Sequence, residues 1–260
     1  PRVLPSASRI LTIMLAVLLV APLGATFELS NAHLRLQIES SARDAWFSFV
    51  GAPNAPNLLS VFPQLTPLWE AQFATPAGLV QRTNSNATSV AAHATETSLT
   101  LEWSCSEPLD VAVPYIVRVT ISLPKDARTA ALKTEVENRG PPGARFGLWA
   151  ITLTIGGITS ESDDHAFYPQ GYGVQQRGAM RYPLTYFGRY PSNQATMQLL
   201  AAGGGASAGG RGVYLAAHDG NAHSKTLIWK AWNSTADRDG GGAAGRSTLD
   251  AGWDAVSAAS

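Results

Sequence analysis

Apolar and polar residues alternate with a period of two along most of this 260-residue chain. That period sends successive side chains to opposite faces of an extended backbone, so it predicts half-buried strands. From Ala32 onward, His33, Arg35, Gln37 and Glu39 fall on one side and Leu34, Leu36 and Ile38 on the other. Residues 45–50 repeat the signal with aromatics, and the Gly/Pro/Asn-rich residues 51–57 then read as a loop. Leu99, Leu101 and Trp103 share a face, as do Tyr115, Val117, Val119 and Ile121. Residues 130–138 carry Leu132, Thr134 and Val136 in phase, and residues 147–155 carry Trp149, Ile151, Leu153 and Ile155. Residues 194–201, 212–217 and 225–232 complete the set. After residue 25 no stretch sustains the i, i+3, i+4 spacing of a helix. About ten short strands separated by turn signals predict an all-β fold, a large antiparallel β-sandwich.

Composition narrows the class of partner. Hydrophobic residues are 45% of the chain, enough for a sizeable core. Nineteen Lys+Arg balance nineteen Asp+Glu. Nucleic acid and polybasic membrane contacts need a clustered positive field, so neither is expected as a partner. A single cysteine, Cys105, excludes a disulfide scaffold and a zinc site built on cysteine pairs. Its expected state is a buried structural thiol.

The N-terminal segment reads as an address. Residues 10–20 are uncharged and apolar, Arg2 and Arg9 precede them, and Ala21-Pro22-Leu23-Gly24-Ala25 follows. This is the pattern of a secretory signal over residues 1–25, and it is too short for a membrane span of about 20 residues. The expected location is secreted, with no membrane contact after cleavage. Sequons at Asn86 and Asn233 are candidate glycosylation sites that fit that compartment. Residues 26–235 are then the sandwich, and the Gly/Ala-rich residues 236–260 a linker or truncated tail. The glycines of residues 203–210 lack the Lys-Ser/Thr of a phosphate loop and read as a hairpin insertion.

Motifs for catalysis are sparse. Glu161, Asp163, Asp164 and His165 form the densest acidic cluster, but in a loop-like setting that suits solvated charges. Asp237-Arg238-Asp239-Gly240 lacks the remaining ligands of a calcium loop. The five histidines show no zinc spacing, and no GxSxG elbow is present. No catalytic residue, metal or cofactor is therefore assigned. Seven tryptophans are more suggestive, because flat apolar sugar faces stack on indole rings. Trp103, Trp149 and Trp229 run in phase with aliphatics and are expected in the core. Trp69, following Pro67 in a loop-like stretch, is left as a candidate sugar contact.

Three passages in the second half carry a resemblance. They are Phe167-Tyr168-Pro169-Gln170-Gly171-Tyr172-Gly173, then Tyr190-Pro191-Ser192 leading into Met197-Gln198-Leu199-Leu200-Ala201-Ala202, then Gly212-Val213-Tyr214-Leu215-Ala216-Ala217-His218-Asp219 with Lys225 after it. Phe27-Glu28-Leu29-Ser30-Asn31 and Thr66-Pro67-Leu68-Trp69 fit the same order. Over roughly residues 27–232 the chain resembles the N-terminal region of a family of large secreted proteins that look like glycoside hydrolases and carry a domain of unknown function. In such proteins a sandwich similar to the galactose-mutarotase-like supersandwich precedes a (β/α)8 barrel. The resemblance implies that the catalytic carboxylates sit on that C-terminal barrel, a partner in the same polypeptide. It implies an accessory role for the sandwich, with carbohydrate as ligand. Tyr168 and Tyr172 would stack on a sugar, and His218, Asp219 and Lys225 would bond its hydroxyls. A stand-alone carbohydrate-binding module is the alternative. A mutarotase-like enzyme using His165 or His218 is a third possibility.

Overall fold

The computed structural model describes residues 19–20, 24–41, 43–59, 67–105, 114–140, 147–160, 165–177, 184–192, 195–203, 212–217, 224–233 and 245–254. Its strands, in chain order, begin with β1 (Leu19–Val20), β2 (Ala25–Ser30), β3 (Arg35–Ser41) and β4 (Asp44–Gly51). There follow β5 (Trp69–Thr75), β6 (Gly78–Thr83), β7 (Ser89–Ala94), β8 (Ser98–Cys105) and β9 (Tyr115–Ser122). Next are β10 (Ala131–Asn138), β11 (Gly147–Ser160), β12 (His165–Tyr168), β13 (Val174–Arg177) and β14 (Leu184–Tyr190). The last are β15 (Leu199–Gly203), β16 (Gly212–Ala216), β17 (Lys225–Asn233) and β18 (Gly245–Asp254). A single 3-10 turn, Asn84–Asn86, is the one helical element among the described residues. No helix there is long and apolar enough to cross a membrane.

The all-β class expected from the alternation is the class the chain adopts. The strands form four antiparallel sheets, ordered β1-β7-β8-β9-β10, β14-β17-β18-β11-β5-β6, β13-β12-β15-β16 and β2-β3-β4. In β8 and β9 burial alternates residue by residue. Leu99, Leu101 and Trp103 pair with Ile121, Val119 and Val117, and all six are fully buried. The opposite face carries Thr100 bonded to Thr120 at 3.0 Å, and Arg118 gripped by Glu102 and Glu137. One apolar and one polar face per sheet is what forces a second layer onto the first.

That second layer is the six-stranded sheet. Trp69 of β5 meets Trp103 of β8 edge to face, ring centroids 5.9 Å apart. Phe73 of β5 lies 4.5 Å from the ring of Tyr115 on β9. The three-stranded sheet is tied in by polar bonds as well as packing. The Trp103 indole N–H donates to the Arg43 carbonyl at 3.0 Å, and the Asn31 amide donates to the carbonyls of Pro124 and Ala127, each at 2.8 Å. The four-stranded sheet joins through Tyr168 on β12, whose ring lies 4.7 Å from Tyr186 on β14.

Several expectations need correction. The strand expected from Ala32 begins at Arg35, because the Asn31 side-chain oxygen accepts from the backbone N–H groups of His33 and Leu34 and holds them in a turn. Trp149 is exposed although Ile151, Leu153 and Ile155 in the same phase are buried. A bulge between Leu148 and Ala150 leaves it without a partner on β5 and breaks the phase. The strand at residues 194–201 begins only at Leu199. Part of the segment expected as linker or tail is β18, a strand between β17 and β11. Its place rests on backbone bonding to two neighbours, which Gly/Ala-rich composition does not announce. The Trp229 side chain and residues 161–164 lie outside what the structure describes, so their expected core and loop placements are not described.

Candidate functional site

The site starts from a hairpin. β12 and β13 pair from His165 with Arg177 to Tyr168 with Val174. The connecting turn reverses at Gly171 (φ 57°) and Gly173 (φ 94°), backbone angles that favour glycine. Thr196 pins this turn from the side. Its hydroxyl donates to the carbonyls of Gly171 at 2.6 Å and Pro169 at 3.1 Å, and its backbone N–H bonds the Pro169 carbonyl at 2.9 Å. Tyr172 therefore projects from a braced tip and is fully exposed.

Tyr168 stands at the base of the same hairpin, half-buried. Its hydroxyl donates to Gln176 at 3.2 Å. Its ring packs on Tyr186, whose phenol is pushed up to about 12 by burial and then by the neighbouring Tyr168. Tyr186, Gly188 and Tyr190 alternate along β14, and Tyr190 pairs with Lys225 at the start of β17. The Lys225 ammonium lies 5.4 Å from the centre of the Tyr190 ring, a cation–π contact. The Tyr190–Pro191 bond is cis.

The residues expected from sequence do not all converge. Trp69 is fully buried in the core against Trp103 and Tyr115, so it is no sugar contact. Residues 69, 71 and 73 form one apolar phase of β5, which turns the ring inward. Lys225 is also fully buried, in phase with Leu227, and does not face solvent. Its ammonium lies against the Tyr190 ring, an aromatic face that attracts a cation. His218 and Asp219 lie outside the described residues. Tyr168 and Tyr172 remain together, at the base and tip of one hairpin.

Asn86 sits in the 3-10 turn, where its side-chain oxygen accepts from the Thr83 backbone N–H at 2.9 Å. The sequon's Thr88 donates its hydroxyl to the Ser104 carbonyl at 2.7 Å. Asn233 ends β17 opposite Gly245. Cys105 is buried, as expected, and burial pushes its thiol up.

Residues missed at the sequence level are Tyr186 and Tyr190 on the inner side, and Phe167 and Tyr214 on the outer face of the four-stranded sheet. The tyrosine spacing on residues 186–190 has the period of a strand and could have placed two of them. The pairing that brings Phe167 and Tyr214 onto one face depends on register across three strands, which local patterning does not encode.

Similarity to known proteins is limited in extent. The chain is 38% identical over 128 residues to a Monosiga brevicollis protein named "Putative glycoside hydrolase 22789". The match takes in 49% of this chain and 10% of that protein, so it spans about a tenth of the relative's length. No family model matches the chain, and no solved structure matches it.

Proposed function

We propose that this chain is an accessory sandwich of a secreted, carbohydrate-active protein whose catalytic carboxylates lie elsewhere in the polypeptide. The match to a protein named as a glycoside hydrolase carries the proposal. The braced hairpin supports it, because Tyr172 offers an exposed ring held in place before any ligand arrives. Tyr168 at its base adds a hydroxyl already oriented by Gln176. Secretion, taken from the apolar run of residues 10–20, belongs to the same proposal.

Four carboxylates of the described residues, Glu28, Glu102, Glu135 and Glu137, are taken up by ion pairs, and none of them is proposed as a general acid. Glu28 is held below the usual carboxylate range by Gln37 and Arg35, and Glu135 by Lys133. A glycosidase general acid needs the opposite shift, upward, to hold its proton near neutral pH. Glu102 and Glu137 are occupied in clamping Arg118.

The test is polysaccharide turnover by the protein expressed from its full reading frame. Turnover is expected. Tyr172→Ala and Tyr168→Ala should raise KM about tenfold with kcat little changed, the mark of lost uniform binding. Failure to bind or cleave any of a panel of glucans, xylans, mannans and galactans would overturn the proposal. So would full hydrolytic activity in the 260-residue chain alone.

A further inference from the structure

The outer face of the four-stranded sheet presents a second aromatic surface, separate from the hairpin tip. Phe167 on β12 pairs with Ala201 on β15, and Ala201 pairs with Tyr214 on β16. Directly paired residues share a face. The two rings therefore stand in one row, two strand spacings or about 10 Å apart, with only a methyl group between them. Ala166, Leu200, Ala202 and Val213 alternate with this row and are buried, so the row faces outward. Phe167 is 37% exposed and Tyr214 52%.

The adjoining row is low. His165 pairs with Gly203, and Gly203 with Gly212. At Gly212 a Cβ would meet the Ala202 carbonyl oxygen at 2.3 Å, so only glycine fits there. The His165 ring lies 6.1 Å from Phe167 at an interplanar angle of 31°. Across β13, Gln175 pairs with Phe167 and Arg177 with His165, and both are exposed. The result is a shelf: two rings, a floor of Ala and Gly, and one edge of hydrogen-bonding groups.

We propose that this shelf binds an extended neutral oligosaccharide. Two pyranose rings would lie flat on Phe167 and Tyr214, while Gln175, His165 and Arg177 bond their hydroxyls. Aromatic faces with a few placed polar groups are the chemistry a sugar requires. A second copy of the chain fits less well, because a dry interface would strip water from Arg177, Gln175 and His165. Nucleic acid fits less well still, since Arg177 is the one arginine or lysine among the described residues of these two rows. The inference rests on the carbohydrate reading above but concerns a different surface.

Residue-resolved hydroxyl-radical footprinting tests it, using the protein from its full reading frame. The probes are cellohexaose, xylohexaose, mannohexaose and maltohexaose. Protection of Phe167 and Tyr214, with exposed Phe187 unchanged, is expected from at least one of them. Phe167→Ala and Tyr214→Ala should each weaken that binding about tenfold, and Tyr214→Phe should retain it. Protection confined to Tyr168 and Tyr172 would overturn the shelf and leave the carbohydrate reading standing. Protection at neither surface by any of the four sugars would overturn the shelf as well, and turnover of the polysaccharide panel then decides the wider reading separately. Protection that grows with protein concentration in the absence of sugar would assign the face to self-association and overturn the inference.

Discussion

Trp103 does two jobs from one position. Its ring fills the contact between two sheets, and its N–H ties the β3–β4 turn to the core through the Arg43 carbonyl. Trp103→Ala should cost about 3–5 kcal/mol, measured by denaturant unfolding, because it opens a cavity and strands a carbonyl together. Trp103→Phe should cost less, since it keeps most of the ring and loses only the bond. Tyr186 makes a prediction about pH. Its folded-state pKa of about 12 lies above the ordinary value of 10, so the folded chain holds the proton more tightly than the unfolded one. That stabilisation is complete below pH 10 and is lost as pH rises toward 12. Unfolding midpoints measured across this window should decline, and Tyr186→Phe should lessen the decline. Buried Trp103 was legible from its phase with Leu99 and Leu101. Trp69 was not, because the proline before it looks like a loop and its strand begins at the tryptophan itself.

Strands β15 and β16 show how pairing depends on a single missing side chain. Gly212 lies where β16 approaches the Ala202 carbonyl too closely for a Cβ. Gly212→Ala should force the pair apart and cost about 1–3 kcal/mol, seen as a lower melting temperature and faster amide exchange in residues 199–203. The same approach keeps the floor beside Tyr214 low, so this substitution should also disturb the shelf. β8 and β9 were readable in the sequence because each has one buried and one half-solvated face, and β10 because exposed and half-buried residues alternate along most of it. The short pairs β12–β13 and the strand β18 were not. Four-residue strands carry too few alternations to stand out, and β18 takes its position from the neighbours that bond its backbone on both sides. The bulge at Trp149 is of the same kind, a local slip set by the partner strand.

At the scale of the molecule, three exposed apolar side chains are spread across the six-stranded sheet, two of them on its edge strands. Leu79 on the edge strand β6, Phe187 on the opposite edge strand β14, and the bulged Trp149 are all open to solvent. Apolar groups on exposed sheet edges invite pairing with other chains. The 260-residue chain expressed alone is expected to self-associate with rising concentration, followed by light scattering. A monodisperse monomer that melts cooperatively would contradict this. The sequence by itself determined the all-β class, the faces of β8 and β9 and the neutral charge balance, because period and composition are local properties that survive any arrangement of the strands. Only the tertiary structure decided that Trp69 and Lys225 point inward, that Tyr168 meets Tyr186, and that Phe167 and Tyr214 share a shelf. Those outcomes depend on register between strands far apart in the chain, and register is fixed by the packing of whole sheets rather than by any one segment.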